Sequence, residues 1–214
     1  MDTVSPVRDL GIIHDDKLTF SPHIDHIKSR AMRSLGILYR FTEIKDLTAL
    51  KLYFTTYVLP ILDFSSPIWS TSAITNISKL NSVFNFFISI VKARNPSLRH
   101  FAKSDILNQL NVLDLRSRLQ FTDLCFLHKI MNGYTKCNML LSYFPLHVPS
   151  RSTRQNHLHH IPRPRLEVQK RSIFHRLPTL SNSLPNIDIF SPYRTFKHNI
   201  RRSLSSSIPT PSPS

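Results

Sequence analysis

Apolar residues at helical spacing restrict the first 131 residues to a mainly α fold. In the first such segment they recur three or four positions apart: Ile24, Ile27, Ala31, Leu35 and Leu38. At 100° per residue these side chains share one helix face. Ser21 is the expected N-cap and Pro22 suits the first helical position. We therefore predict a helix from Ser21 to about Phe41.

The same spacing predicts two further helices. One starts near Asp46 and is kinked or ended by Pro60, because proline lacks a backbone N–H. Its expected packing face comprises Leu47, Leu50, Phe54, Tyr57, Val58 and Ile61. Another helix is expected over residues 76–92, where apolar residues again follow helical spacing.

Two capping signals predict the helices that follow. Ser104 is placed to cap a short helix ending at Leu110, and Asp114 is placed to cap a longer one ending at Met131. The pair Asn132-Gly133 is a typical helix stop, since glycine tolerates the left-handed conformation that ends many helices.

The sequence beyond Lys136 predicts less regular structure. Seven prolines divide it into short pieces, at positions 145, 149, 162, 164, 178, 185 and 192. No large core is expected to form there alone. A last helix is predicted from Ser191 to about Leu204, and the Ser/Pro-rich tail, 205–214, is expected to be disordered.

These patterns predict a mainly α fold with five parts. It is expected to be a helical bundle, with a short β segment at the N-terminus and an irregular, proline-rich basic C-terminal region. The parts are the β segment over 1–20, a helical region over 21–92, a second helical region over 93–147, a basic segment with the terminal helix over 148–204, and the tail over 205–214.

Positive charge is concentrated in the second half of the chain. The net charge is +15, and residues 1–91 hold 9 Lys/Arg against 8 Asp/Glu, whereas residues 92–214 hold 19 against 5. Such asymmetry indicates a polyanionic partner, because Lys and Arg that neutralise phosphates release condensed counterions. The alternative is a solvated surface or a poorly folded basic tail.

Three basic sets are candidates for contacting nucleic acid. His26, Arg30, Arg33 and Arg40 lie on the polar face of the first helix, over about 21 Å. The second set lies on both sides of Phe174 in the sequence and comprises Arg151, Arg154, Arg163, Arg165, Lys170, Arg171 and Arg176. Arg194, Lys197 and Arg201 flank the last helix. An ordinary solvated face is the alternative for these sets, and we expect Phe174 to anchor its segment to the helical body.

The pair Asp15-Asp16 suggests a catalytic centre, because template-directed polymerases hold two divalent metals on paired aspartates. Their hairpin carries an aromatic and a variable residue before the pair, whereas Ile13 and His14 precede it here. We therefore interpret Asp15 and Asp16 as turn residues that bond to nearby backbone. A metal-dependent nuclease or polymerase using Asp9, Asp15 and Asp16 is the alternative.

No cofactor or metal site is expected. The three glycines are far apart, which excludes the glycine-rich loops of dinucleotide and nucleoside-triphosphate sites. Cys125 and Cys137 do not form a close pair, so a zinc site with His147, His157, His159 or His160 is disfavoured. The serines, histidines and aspartates show no spacing that indicates a nucleophilic triad.

The compartment is expected to be intracellular, either cytoplasm or nucleus. No signal peptide precedes Val7, and two cysteines cannot make a disulfide framework. The longest apolar stretch, 50–69, is interrupted by charges and prolines, so it falls short of the ~20 residues that span a membrane. No membrane partner is therefore expected.

Three segments carry a resemblance to a known family. The first runs from Leu10 to Ile24 into the first helix, the second is Val58-Leu59-Pro60-Ile61-Leu62-Asp63-Phe64-Ser65-Ser66-Pro67-Ile68-Trp69, and the third combines Arg171-Ser172-Ile173-Phe174 with Leu184-Pro185. Together they resemble the thumb and terminal region of reverse transcriptases from non-long-terminal-repeat retrotransposons. Asp63-Phe64 stands where the family has Glu-Tyr, and Asn182-Ser183 where it has Trp-Asn.

The resemblance implies a fragment that lacks the polymerase active site. The opening then corresponds to the end of the palm, and the family's catalytic motifs lie upstream of it. The implied activity is sequence-independent binding of RNA, DNA or a hybrid duplex, with no polymerisation and no small-molecule substrate. The missing palm and fingers are an implied partner. A relic open reading frame with no selected function is the other alternative.

Overall fold

The computed structural model describes residues 6–70, 74–147, 158–161, 163–184 and 187–206. The chain divides into two compact units, Met1–Leu119 and Gln120–Ser214. Both units are built mainly from helices, and the described strands form one two-stranded antiparallel sheet at the N-terminus. The predicted mainly α fold with a short β segment is thus confirmed. Ser205 and Ser206, expected to belong to the disordered tail, are instead the end of the last helix (Tyr193–Ser206), and the rest of the tail, 207–214, lies outside the described residues.

A β-hairpin opens the described chain. Strands β1 (Val7–Asp9) and β2 (Ile12–His14) pair with Val7 opposite His14. The two turn residues, Leu10 and Gly11, have φ of 44° and 89°, and such positive values match the twist of a two-residue hairpin. A Cβ at Gly11 would lie 3.2 Å from the Phe64 ring, so both conformation and space favour glycine.

Helix α1 (Ser21–Arg40) buries the face that the sequence predicts. Ser21 is not its N-cap, which is a correction. Phe20 occupies that position in the left-handed conformation with its ring buried, and no side chain caps the helix. The Asp15 carboxylate accepts hydrogen bonds from the backbone N–H groups of Thr19 and Phe20, and these bonds fix the segment that precedes α1.

A π-helical turn interrupts the second predicted helix. Asp46 caps α2 (Leu47–Tyr53) as expected, accepting from Ala49 N at 2.9 Å. The π turn (Phe54–Val58) then leads into α3 (Leu59–Asp63), and Leu59 N donates to Phe54 O five residues back. Such a turn holds one residue more than an α turn.

The extra residue changes which side chains pack. Beyond the π turn, Leu59 and Leu62 are buried, whereas Ile61 is only half-buried. Tyr57, expected in the packing face, is 60% exposed. One added residue rotates every following side chain by about 100°, which accounts for this correction.

The helix predicted over 76–92 is two helices in the structure. After the short α4 (Ser66–Trp69), α5 (Ile74–Lys79) and α6 (Asn81–Arg94) are separated by a turn at Leu80. Leu80 is nevertheless buried. The core of the first unit is aromatic around α6: the Phe54 and Phe87 rings stack with centroids 3.9 Å apart, and Phe84 meets Phe54 edge-on.

Helices α7 (Lys103–Gln109) and α8 (Leu115–Met131) follow a 3-10 turn, Pro96–Leu98. Helix α7 starts one residue before Ser104, so Ser104 lies inside its first turn instead of capping it. Two other end signals are confirmed. Asp114 accepts from Ser117 N at 2.7 Å, and Gly133 has the expected positive φ of 70°.

Arg94 ties the end of α6 to the end of α1. Its guanidinium donates to the carbonyl oxygens of Leu38 at 2.6 Å and Ile44 at 2.8 Å. Burial lowers the pKa of the Arg94 guanidinium from its ordinary value. Asn95 adds a bond to the Lys45 carbonyl, so the connection between α1 and α2 is fixed from one side.

The second unit confirms the predicted last helix and also contains helices within 167–182, where the sequence predicted irregular structure. Beside the C-terminal part of α8 it includes α9 (Asn138–Ser142), α10 (Glu167–Arg171), α11 (Ile173–Asn182) and α12 (Tyr193–Ser206). Its buried apolar residues are Leu124, Cys125, Leu127, Ile130, Phe144, Leu177, Ile189, Phe196, Ile200 and Leu204. Four of these residues belong to α8, so the chain beyond Lys136 does not form this core alone.

Polar contacts hold the helices of the second unit together. Arg176 of α11 forms a bidentate pair with Asp123 of α8, at 2.9 and 3.1 Å. The buried ring of His128 bonds through Nε2 to the Ser191 carbonyl, and Asn132 donates to the Ile189 carbonyl. Both of these contacts lie just before α12, so they fix where that helix begins.

Candidate nucleic-acid interface

The polar face of α1 carries a row of basic side chains. Arg30, Arg33 and Arg40 are exposed, and His26 is half-buried at the start of the row. They project from one side of the helix because their positions differ by three, four or seven residues. The row is about 21 Å long at the helical rise.

Arg8 of β1 lies at the N-terminal end of this row. The pKa of His26 is lowered from its ordinary value by partial burial and by the positive charges of Arg8, Arg30 and Arg33. Arg8 itself is exposed. The residues Arg8, His26, Arg30, Arg33 and Arg40 are called the α1 surface below.

The positive charges of the α1 surface are not balanced by paired acidic residues. Within the described part of the first unit, no carboxylate forms an ion pair with Arg30, Arg33 or Arg40. Asp25, the one acid within α1, pairs instead with Lys79 at 3.0 Å, and Asp63 pairs with Arg118. Unpaired exposed arginines are therefore available for an external anion.

The second predicted set is spread over several elements of the second unit. Arg163, Arg165, Lys170 and Arg171 are all exposed, and Lys170 pairs with Glu167. Arg151 and Arg154 lie outside the described residues.

Phe174 and Arg176 differ from the rest of that set. Phe174 is 37% exposed, and its ring contacts those of Tyr143 and Phe144 at centroid distances of 4.7 and 5.8 Å. It therefore anchors α11, as expected. Arg176 is a correction: its guanidinium is engaged by the buried carboxylate of Asp123, so it is not part of a surface for anions.

Helix α12 presents a broad basic face. Arg194, Lys197 and Arg201 are exposed, while Phe196 and Ile200 are buried on the opposite side. The same face includes further exposed basic residues, His198 and Arg202. Lys197 also lies over the Tyr193 ring, 5.2 Å from its centroid, and Lys129 lies 5.6 Å from the same centroid.

Asp15 and Asp16 are turn residues, as the sequence indicates. The Asp15 carbonyl accepts from Leu18 N, and its carboxylate accepts from Thr19 N, Thr19 Oγ1 and Phe20 N. Burial acts to raise the pKa of Asp15, but the bonds from Thr19 and Phe20 outweigh it and hold the pKa below its usual value. Asp9 lies in β1, at the other end of the hairpin turn.

Replacing Asp15 with alanine is expected to destabilise the first unit by about 1 to 2 kcal/mol, because two backbone N–H groups lose their acceptor. Asp16→Ala, at the exposed neighbouring position, removes the same charge without those bonds and is the matched control. Urea unfolding followed by Trp69 fluorescence measures both changes. Equal stability of the two variants would contradict the assigned role of Asp15.

The remaining candidate ligands do not form a metal cluster in the described chain. No group of three or more His, Cys, Asp or Glu residues suited to a metal ion occurs among the described residues. Cys125 is buried, and burial raises the pKa of its thiol, while Cys137 is exposed. His147, His159 and His160 do lie together, around one cavity, and His157 is outside the described residues.

Among the described residues, none of the helices has the length and apolar character needed to cross a membrane. Comparison with protein-family models, with curated proteins and with solved structures found no match for the chain.

Proposed function

We propose that this chain binds nucleic acid through sequence-independent contacts between the α1 surface and the phosphate backbone. The observation that carries the proposal is the row of exposed arginines on α1, none of which pairs with a carboxylate in the described chain. Charged side chains in proteins are often balanced by opposite charges nearby. A row of positive charges without that balance favours the binding of a polyanion.

The dimensions of the row suit a nucleic-acid backbone. Duplex DNA carries one negative charge per about 1.7 Å of its axis, so a row about 21 Å long passes several phosphates. Contacts of this kind position a nucleic acid without reading its bases. The basic faces of α10 and α12 supply further positive charge within the second unit.

We further propose that the chain corresponds to the thumb and connection part of a non-long-terminal-repeat retrotransposon reverse transcriptase. The support is the resemblance of the sequence, together with a β-hairpin directly followed by a long basic helix. On this proposal the first unit is a thumb-like helical bundle, the chain does not polymerise nucleotides, and the palm and fingers are a partner. Its site of action is the cytoplasm or the nucleus.

A salt series tests the binding proposal. The double variant R30Q/R33Q is expected to bind a 20-base-pair duplex more weakly and to reduce the slope of log K against log salt by about 2, because two phosphate contacts are lost. Filter binding between about 50 and 200 mM salt measures both quantities.

The matched control is the double variant R99Q/R116Q. It also removes two exposed positive charges from the first unit, and neither residue lies on α1 or in the segment that joins α1 to α2. We expect its salt slope to stay within about half a unit of the wild-type slope. Equal losses in the two double variants would show that net charge alone matters, and wild-type binding that is insensitive to salt would contradict the proposal.

A further inference from the structure

Two lysines meet at one tyrosine ring in the second unit, where the end of α8 lies beside the start of α12. Lys129 of α8 and Lys197 of α12 both lie over the Tyr193 ring, with their Nζ atoms 5.6 and 5.2 Å from its centroid. The Tyr193 hydroxyl is hydrogen-bonded to the buried thiol of Cys125, which fixes the far end of the ring. Cation–π contacts with a fixed ring hold the two ammonium groups in one small region.

An exposed aromatic ring adjoins these lysines. Tyr134 is 65% exposed, and its backbone N–H donates to the Lys129 carbonyl at 2.9 Å, which closes the end of α8. The buried ring of His128 lies nearly parallel to the Tyr134 ring, at 13° and with the centroids 6.1 Å apart. The same histidine contacts the Tyr193 ring at a centroid distance of 5.3 Å. Tyr134 is therefore held from one side and is largely open to solvent on the other.

The positive charges of this region are not balanced by acidic residues. The second unit holds 13 Lys/Arg but only 3 Asp/Glu. Two of these acids form ion pairs with other residues, and the third, Asp188, accepts from Phe190 N. No ion pair of the described residues involves Lys129, Arg194 or Lys197. Helix α12 begins beside them, and the positive end of its dipole adds to the attraction for an anion.

These features favour a single strand of nucleic acid over an anionic membrane and over a duplex. The exposed residues of α12 that the structure describes are all polar, so this helix has no exposed apolar side chain to insert between lipids. An exposed ring stacks only on a base whose face is free, and the bases of a duplex are covered by their neighbours. Positive charges beside an exposed aromatic ring are typical of sites for single strands.

We propose that Lys129, Tyr134, Arg194 and Lys197 form a site for a short stretch of single-stranded nucleic acid. One base stacks on Tyr134, and the neighbouring phosphates contact the three cations. Tyr193 is a positioning residue, because it holds the two lysines in place. This set, called the Tyr134 site, depends on residues of the second unit alone, and it goes beyond the binding of phosphates proposed for the α1 surface.

The test uses the full chain carrying R30Q/R33Q, so that the α1 surface contributes little to binding. Two fluorescein-labelled strands of about ten nucleotides are compared by anisotropy, oligodeoxythymidine and an abasic strand with the same phosphates. Adding Tyr134→Ala is expected to weaken binding of the thymidine strand about tenfold and to leave binding of the abasic strand unchanged. Tyr134→Phe keeps the ring and should retain the affinity within about threefold. Tyr57→Ala, at a tyrosine that is 60% exposed in the first unit, is the matched control and should change neither affinity.

The lysines are tested by a salt series on the same R30Q/R33Q chain. Adding K129Q/K197Q is expected to weaken binding of both strands and to reduce the slope of log K against log salt by about 1.4, because each phosphate contact of a single strand contributes about 0.7. Adding R163Q/R165Q instead removes two exposed positive charges elsewhere in the second unit, and the slope should then stay within about half a unit. Equal losses from these two pairs of substitutions would overturn the site, since net charge alone would then account for binding.

Three further outcomes would overturn the proposal. The first is no binding of the thymidine strand, and the second is an equal affinity for it with and without Tyr134→Ala. The third is binding to phosphatidylserine vesicles that K129Q/K197Q abolishes, without binding of either strand, because the surface would then be one for a membrane.

The Tyr134 site and the α1 surface fail separately. Duplex binding that R30Q/R33Q weakens, together with single-strand binding that Tyr134→Ala does not change, would overturn the Tyr134 site alone. Single-strand binding that Tyr134→Ala weakens, together with duplex binding that R30Q/R33Q does not change, would overturn the function proposed for the α1 surface and leave the Tyr134 site standing.

Discussion

Replacing Arg176 with methionine is expected to destabilise the second unit by about 3 kcal/mol at pH 8 and much less at pH 5. The partner of Arg176 is the Asp123 carboxylate, which is only 5% exposed. Burial raises the pKa of Asp123 to about 6, although Arg176 acts in the opposite direction. Without Arg176 the carboxyl must either remain protonated or hold an unpaired buried charge.

The sign of the pH dependence follows from proton binding. Between about pH 4 and pH 6 the folded chain holds a proton on Asp123 that the unfolded chain has lost, so this group's contribution to stability falls as pH rises. In Arg176→Met the pKa of Asp123 is expected to rise further, because its positive partner is gone. The difference in stability between the variant and the wild type should therefore grow as pH increases through 6.

Hydrogen exchange of the α11 amides, measured at pH 5 and pH 8, reports the stability of this region. Lys170→Met breaks the exposed pair with Glu167 and is the control that should change little at either pH. If Arg176→Met does not fold, the double variant with Asp123→Leu should recover much of the stability, since no buried charge is left unpaired. A pH-independent loss in Arg176→Met would contradict the argument.

Lowering the pH from 7 to 4 is expected to cost the first unit about 3 kcal/mol through His23 alone. The side chain of His23 is 1% exposed, and its Nδ1 accepts from Ile13 N at 3.4 Å. Burial, followed by the charges of His26, His14 and Arg8, lowers the pKa of His23 to about 4. The unfolded chain binds this proton near pH 6.5, so the stability is complete above that pH and is lost as pH falls towards 4.

The single tryptophan makes this change measurable. The rings of His23 and Trp69 have centroids 6.1 Å apart, so Trp69 fluorescence follows unfolding where His23 lies. In His23→Gln the pH slope of the urea unfolding free energy between 4 and 7 should fall by more than half. His100→Gln removes an exposed histidine of the same unit, and its slope should match the wild type. A wild-type slope in His23→Gln would refute the assignment.

The parts of the fold that were predictable are those determined by neighbours in sequence. The apolar face of α1, the caps at Asp46 and Asp114, and the stop at Gly133 all depend on residues within one or two helical turns. Periodicity and capping chemistry therefore sufficed for them. Tyr57 was mispredicted because a π turn changes the helical phase, and no periodicity argument with a fixed 3.6 spacing can include that change.

The candidate interface was predictable only where it depends on residues that are close together in the sequence. The row on α1 follows from spacing within one helix, whereas Arg8 joins it through the fold of the hairpin. Arg176 looked like other arginines of its segment, and its partner Asp123 is 53 residues away. The burial of His23 does have a sequence signal, since His23 lies four residues before Ile27 on the apolar face.

The bonds from Arg94 to the end of α1 have an electrostatic consequence for the proposed binding of a polyanion. The aligned peptide dipoles of a helix place about half a negative charge at its C-terminus, which would repel a phosphate near Arg40. The Arg94 guanidinium donates to the carbonyl oxygens of Leu38 and Tyr39, where that charge is located. A full positive charge there more than offsets it. The potential of α1 therefore stays attractive to phosphate along the whole helix and does not reverse at its far end.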